Sequence, residues 1–444
     1  MNLAELNKNI KLYNFRTVYI AIAVVYLFSL MFPQIFSSNS SDKVYSISIF
    51  FFTVFNTFWG TFIVANSQIS EIRNKTWIYQ KMSALEAKDM LVGKLIGPVV
   101  YNWAFGLIIL TIALLAALLS GYDVGTKLSG ILKIILTTVM FHSLGLILSI
   151  LFIKRKEDVS DLGNFNFTPI LLIYMILMYF LIHSFISTNE TFILWYDIPF
   201  NYSIFTLLSS ICFTFWALLG AYRLIKEELN YELLPYAWIC FNIFLLVYFS
   251  GFLFETELGE FIQYNVYFVK SYAVLITTVL ITILLEPISI INYRFVLSAF
   301  KEKNYRKVAL NLPLWLITLC FCMITAIILS LNLSLFKENI GSNFLIPIVV
   351  ILFLAKDILV NIYLHINEVK KANLIWFFYM LIWYFFIPYV LLKGVPKSLY
   401  AFYPIDPLIS TIMVLIYLAI IILMIYRKIK SIDFSNIKYL KINT

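Results

Sequence analysis

The chain has 444 residues, 62% of them hydrophobic and only 13% charged, with a mean hydropathy of +0.90. An ordinary soluble domain carries about a quarter charged residues, so a soluble globular enzyme and a disordered chain are excluded. The class that remains is an all-α integral membrane protein. A net charge of +9 would suit a nucleic-acid partner, but the topology below accounts for it as an orientation signal.

In chain order, residues 1–16 (MNLAELNKNIKLYNFR) place Leu3, Leu6, Ile10 and Tyr13 on one helical face opposite Glu5, Lys8 and Lys11. The segment is too polar for the apolar core of a secretory signal and reads as an interfacial helix. Crossing a hydrocarbon core of about 30 Å takes roughly 20 apolar residues. About twelve runs qualify, at 17–34, 46–68, 95–119, 128–153, 167–187, 202–222, 233–254, 264–286, 312–334, 343–364, 373–393 and 406–426. With a cytoplasmic N-terminus most Lys and Arg fall in cytoplasmic segments, as the positive-inside rule requires. An even number of spans returns the C-terminal YRKIKSIDFSNIKYLKINT to the cytoplasm, where its lysines meet anionic lipid. These features predict a multi-pass protein with both termini cytoplasmic, lipid as a partner and no nucleic acid. Richness in Ile, Asn, Lys, Phe and Tyr is associated with AT-rich bacterial genomes, so the bacterial cytoplasmic membrane is the expected location. Cys212, Cys240, Cys320 and Cys322 all lie in spans and read as small apolar packing residues.

An offset of 215 residues sets Glu71 on Glu286, Ser83-Ala84 on Ser298-Ala299, Lys88 on Lys303, Pro98 on Pro313 and His142 on Asp357. The hydrophobic runs superpose as well, which predicts two parallel-repeat six-helix bundles, residues 1–225 and 226–444. Both halves close alike, with an aromatic and proline segment (193–204 and 399–410) before the last span. Between them, AYRLIKEELNYELLPY at 221–236 is a short charged connector, and Glu227-Glu228 reads as its solvated face.

The stretch EIRNKTWIYQKMSALEAKDMLVGK, 71–94, is highly charged and lies between two apolar spans. Lys75 to Met82 reads as a short helix with Trp77, Ile78 and Met82 as apolar contacts, and with Lys75, Gln80 and Lys81 turned to solvent or a partner. Ser83 and Glu86 have the spacing of a capping box that starts the next helix. Gly93, Gly97 and Pro98 then allow close packing and a bend. The counterpart at 292–313, NYRFVLSAFKEKNYRKVALNLP, is again basic and amphipathic through Arg294, Lys301, Lys303, Arg306 and Lys307, but lacks the Thr-Trp and Gly-Lys marks.

Glu71, a basic residue, Thr76-Trp77, Ser83 and Gly93-Lys94 together resemble the segment after the second helix in permeases of exporter-type ABC transporters whose ATPase is a separate polypeptide. The resemblance covers about 25 residues. It implies a coupling helix that docks on an ATP-binding subunit, with Glu71, Arg73, Lys75, Thr76, Trp77, Gln80, Lys81 and Ser83 as coupling residues. Arg294, Lys301 and Lys303 are the counterparts in the second half. It further implies two ATPase subunits as partners, ATP and Mg on those partners, and no cofactor in this chain. The chain departs from that pattern at Ala84, where the family commonly has proline, and in carrying two six-span units where the usual permease has one.

No G-x-x-x-x-G-K-[ST], H-E-x-x-H or G-x-S-x-G motif occurs, so any ATPase is a separate protein and the chain is not expected to be an enzyme. Inside the spans, His142, Lys356 and Asp357 are the informative polar groups, because charge there is costly. Lys356 and Asp357 are about 100° apart on a helix and need not pair. Either they fix helix packing or they handle a substrate or proton. Lys133, Lys270 and Glu286 sit near span ends as interfacial groups. An ion-coupled secondary transporter with two six-helix halves fits the same hydropathy, and a membrane-embedded lipid enzyme is the third reading.

Overall fold

The computed structural model describes residues 26, 40–83, 85–120, 124–154, 192–252, 254–255, 265–266, 268–286, 290–335, 345–367, 369, 372–386 and 407–431. Two compact units divide the chain, Met1–Leu233 and Leu234–Thr444. Among the described residues, seven helices are long and apolar enough to cross a membrane: Ser41–Arg73, Ala87–Leu119, Val124–Leu151, Tyr202–Glu228, Leu314–Leu331, Ile346–Ile366 and Leu408–Lys428. The spans expected at 233–254, 264–286 and 373–393 contain the shorter apolar helices Tyr236–Ser250, Val269–Leu285 and Leu374–Tyr384. The interfacial helix at 1–16, the fifth span at 167–187 and the tail beyond 431 lie outside the described residues, as does the first span apart from Tyr26.

The first unit contains α1 (Ser40–Phe52), a π-helical turn over Thr53–Trp59, and α2 (Gly60–Arg73), which run on as one rod, 33 residues long from Ser41 to Arg73. Hydroxyls in such a rod must find acceptors where water is absent. Ser48, Thr53 and Thr61 each donate to the carbonyl four residues back, at 2.7, 2.8 and 2.5 Å. A six-residue helix follows, α3 (Thr76–Lys81), then α4 (Ala87–Ile96). Pro98 sits in the 3-10 turn Gly97–Val99 that separates α4 from α5 (Val100–Leu119), at the expected bend. Next comes α6 (Val124–Lys154), and a hairpin of β1 (Phe192–Trp195) and β2 (Ile198–Asn201) precedes α7 (Tyr202–Glu228). Tyr196 and Asp197 both take positive φ, 51° and 60°, the turn chemistry of a two-residue hairpin. Asn201 then caps α7, its Oδ1 accepting from Ser203 N at 3.0 Å. α7 extends to Glu228, so half of the expected connector is helical.

Small residues let these helices approach closely. A Cβ on Gly145 of α6 would lie 2.6 Å from Thr61 Cγ2 and 3.2 Å from the Thr61 carbonyl, and one on Gly60 would lie 2.6 Å from His142 Nε2. Ile63, Val64, Trp77, Met90, Leu146 and Ile225 join α2, α3, α4, α6 and α7 in one core.

The second unit contains α8 (Tyr236–Ser250), the short pair β3 (Phe254–Glu255) and β4 (Asn265–Val266), α9 (Val269–Leu285), α10 (Ile290–Lys301), α11 (Tyr305–Asn311), α12 (Leu314–Leu335) and α13 (Ile346–Ile366). It closes with α14 (Ala372–Leu381), a second π-helical turn at Ile382–Phe386, and α15 (Pro407–Ser431). Val349 and Phe353 of α13 pack on Val414 of α15. Of the four cysteines, which are free, only Cys322 is buried; Cys212, Cys240 and Cys320 are exposed, so packing accounts for one of them.

Gly145→Ala should push α6 off α2 and cost about 1–3 kcal/mol, because a backbone carbonyl is among the obstructing atoms. Gly125→Ala, with nothing within 4 Å of its Cβ, should leave stability unchanged or slightly raised. Thermal unfolding of the two variants in detergent checks the contrast.

Candidate functional site

The stretch after α2 is built by a break in the helix. Asn74 N still bonds to Ser70 O at 2.9 Å and Lys75 N to Ile72 O at 3.0 Å, while Lys75 itself turns left-handed at φ 59°. Thr76 begins α3 and returns its hydroxyl to the Glu71 carbonyl at 3.1 Å. At the other end Ser83 Oγ donates to Gln80 O at 2.6 Å. The capping box expected from Ser83 and Glu86 does not form: α4 starts at Ala87 with Glu86 as its N-cap, and the serine hydroxyl closes α3 instead of opening α4. Ala84 lies outside the described residues.

Six side chains from α2, α3, α4 and α7 converge at this end of the bundle. Lys94, 3% exposed, meets the Glu71 carboxylate and donates to Gln80 Oε1 at 2.7 Å. Its ammonium lies 4.9 Å from the centre of the Trp77 ring. From α3, Lys81 lies 5.6 Å from the same ring and pairs with Glu228 of α7. Trp77 Nε1 faces the same Glu228 oxygen at 3.4 Å. Trp77 is thus buried beneath two cations, with two carboxylates completing the cluster. The charge logic is direct. Glu71 and Glu228 stand in the last turns of their helices, where the helix dipole disfavours an anion, and each receives a lysine from a neighbouring helix.

The arrangement corrects the expected faces of α3. Trp77 is an apolar contact as read, but Ile78, Tyr79 and Met82 are 53%, 74% and 79% exposed. Gln80 and Lys81, read as turned to solvent or a partner, are half-buried and engage Lys94 and Glu228 within the unit. Arg73, Lys75 and Ser83 are exposed, as read for Lys75. Lys94 and Glu228 were not singled out from the sequence as site residues, and Glu228 is not the solvated connector group it resembles. The available signal was sign alternation: Glu71 and Lys94 are opposite charges at the ends of consecutive apolar spans.

The counterpart in the second unit is built differently. Glu286, the C-cap of α9, accepts the Leu314 backbone N–H through both oxygens at 3.1 and 3.3 Å and so caps α12. At the offset of 215 the positions of Trp77, Lys81 and Lys94 hold Asn292, Val296 and Ala309. Arg294 lies on α10. Lys301 and Lys303 are exposed, and Lys303 takes the left-handed conformation (φ 55°) that ends α10, with Asn304 N bonding to Ala299 O at 2.9 Å.

The intramembrane polar residues form two separate groups. In the first unit His142, 2% exposed, donates from Nε2 to the Asn56 carbonyl at 2.9 Å, within the first π-helical turn. Thr57 and Thr138 share a hydrogen bond at 2.6 Å, and Asn102 Nδ2 donates to Phe55 O at 3.2 Å. In the second unit Lys356 and Asp357 do pair, at 3.0 Å, despite their different directions, because the long lysine stem is able to wrap back to its neighbour. Asp357 also accepts from Tyr379 OH at 3.0 Å and from Tyr384 OH, and Trp376 Nε1 donates to its carbonyl at 2.7 Å. The Lys356 ammonium lies within 6 Å of the ring centres of Phe353, Tyr379, Trp383 and Tyr384. Lys133 donates to Thr206 Oγ1 at 3.1 Å, and Lys270 lies 5.7 Å from the Phe252 ring centre.

Comparison with family models, curated proteins and solved structures returns no match. Among the described residues no group of three or more His, Cys, Asp or Glu is placed to hold a metal ion.

Breaking a buried pair leaves an uncompensated charge and costs about 3–5 kcal/mol. Lys94→Met and Glu71→Leu should each destabilise the first unit by that order, and the double variant should recover most of the loss. Additive losses in thermal unfolding would refute the coupling. Trp77→Ala removes a buried indole and should also act on stability, by about 3–5 kcal/mol.

Proposed function

We propose that the chain is the transmembrane permease subunit of an ABC-type exporter in a bacterial cytoplasmic membrane, powered by separate ATP-binding subunits. The observation that carries this reading is the two-faced elbow. One face of α3 is bolted to α2, α4 and α7 through Trp77, Gln80 and Lys81. The opposite face offers Ile78, Tyr79 and Met82 to the surroundings. A lever that carries force needs both a stiff root and a contact surface, and a solvated loop needs neither. Closure of the ATPase pair on ATP would load α3, and the ion pairs would pass the load to three helices at once.

This reading divides the residues implied by the resemblance. Glu71, Thr76, Trp77, Gln80 and Lys81, with Lys94 and Glu228, transmit; Arg73, Lys75 and Ser83 border the contact surface. Two six-helix halves with both termini cytoplasmic belong to the same proposal. It is supported by like packing within each unit: α6 on α7 and α1 on α5 in the first, α13 on α15 and α12 on α9 in the second. The cargo class in keeping with so aromatic a chain is amphipathic: a lipid, peptide, antibiotic or polymer precursor.

A second reading, an ion-coupled secondary transporter, is favoured by one observation, the Lys356–Asp357 pair near the middle of α13. It makes Asp357 the essential group and requires no ATPase.

The tagged protein, isolated from its host in mild detergent, should retain a P-loop ATPase. Ile78→Asp combined with Met82→Asp should release that ATPase at unchanged helix content, since both side chains are exposed. Recovery of intact protein without an ATPase, together with loss of transport in Asp357→Asn, would replace the first reading by the second.

A further inference from the structure

The two elbows carry opposite surface chemistry. In the first, Lys81 and Lys94 are taken up by Glu228 and Glu71, and what remains outward on α3 is Ile78, Tyr79 and Met82. In the second, the positions equivalent to Trp77, Lys81 and Lys94 carry no ring and no cation, and Glu286 caps a helix. Here the basic residues face out: Lys301, Lys303, Arg306 and Lys307 are all exposed, against the single carboxylate of Glu302. Phe300 and Tyr305, 62% and 67% exposed, stand edge to face beside them with ring centres 6.4 Å apart. No residue of α11 is buried. On α11 Val308 and Ala309 are half-buried, while Tyr305, on the same side, is exposed.

Chain connectivity fixes where this surface sits. α9, a shorter apolar helix, ends at Leu285, and α12, long and apolar enough to cross a membrane, starts at Leu314, so on the membrane reading of the chain residues 290–311 turn at the boundary. Exposed aromatic rings at that depth prefer the headgroup layer. Lys and Arg on flexible stems beside them reach phosphates, and basic clusters next to a membrane are drawn to anionic lipid over about a Debye length. A protein groove would have to cover four cations and two rings around a left-handed turn at Lys303; a headgroup layer adapts to that shape without a matching cavity.

We propose that the α10–α11 elbow of the second unit is an anchor for anionic phospholipid headgroups, with Phe300 and Tyr305 set among the lipids and Lys301, Lys303, Arg306 and Lys307 on their phosphates. The proposal rests on the membrane reading of the chain and not on the transporter reading. It makes the two elbows unequal, one presenting a surface for protein and the other one for lipid.

The test is hydrogen–deuterium exchange of the full-length protein in nanodiscs of phosphatidylcholine alone, or with one part in three phosphatidylglycerol. Amides in 290–311 should exchange several-fold more slowly when phosphatidylglycerol is present, while those in 71–83 stay unchanged. The slowing should vanish in molar salt, and also in a variant with Lys301, Lys303, Arg306 and Lys307 all changed to Gln. Phe300→Ser with Tyr305→Ser keeps every charge and should weaken the effect partially. Equal exchange of the wild-type chain in both discs would overturn the proposal. So would protection that ignores lipid and appears only when a co-purified P-loop ATPase is added, which would make the second elbow a protein dock.

Discussion

A carboxylate in the last turn of a helix, at the edge of a bilayer, needs a cation that the helix itself does not supply. Glu71 and Glu228 set that requirement twice in the first unit, and the answer determines its architecture at this end. Lys94 must come from α4 and Lys81 from α3, so four helices become mutually positioned through two ion pairs. Trp77 fills the space between, and its ring face is the one apolar surface that gains from having ammonium groups on it. The elbow is consequently held by polar contacts as well as by the apolar core around Trp77, and α6 and α7 likewise combine apolar packing with the Lys133–Thr206 hydrogen bond. Fully satisfied polar networks of this kind rigidify the groups they join.

How much of this was legible in the sequence depended on the kind of signal. Hydropathy runs translate directly into helices, and seven of the expected spans correspond to helices long enough to cross. The bend at Pro98 was legible because proline removes a donor wherever it sits. The direction of side chains on α3 was not, since six residues carry too little periodicity to separate a buried Trp77 from an exposed Ile78 next to it. Ser83 illustrates a different limit. Its hydroxyl reaches a carbonyl three residues behind as readily as an amide three ahead, and spacing alone does not choose. Glu228 was misread because its partner lies 147 residues away in the chain. The Lys356–Asp357 pair was discounted on helix geometry, which ignores how far a lysine stem bends when the surroundings are dry and the alternative is an unpaired charge.

The two π-helical turns fall where the intramembrane polar groups are, one at Asn56 beside His142 and the other at Trp383 and Tyr384 beside Lys356 and Asp357. An extra residue in a turn shifts the carbonyl ladder and re-aims side chains. In the first unit the displaced Asn56 carbonyl becomes the acceptor for His142. In the second the turn brings two aromatic residues onto one ion pair. The Asn56 side-chain amide is buried and neither of its polar atoms is hydrogen-bonded among the described residues; it lies close against Gly106, where an added Cβ would be 2.3 Å from Nδ2. That is a costly placement beside Thr57, whose hydroxyl is satisfied by Thr138 of α6.

Ribosomal synthesis gives these contacts an order in time. In the rod of α1 and α2, Ser48, Thr53 and Thr61 bond to carbonyls of the rod itself, while Thr57 shares its hydrogen bond with Thr138 of α6. Polar partners for the rod and for α3 are made progressively later: Lys94 reaches Glu71 from 23 residues downstream, His142 reaches Asn56 from 86, and Glu228 reaches Trp77 of α3 from 151. The first unit therefore cannot complete these polar contacts until α7 has been made, because the last partner, Glu228, stands at the end of that helix.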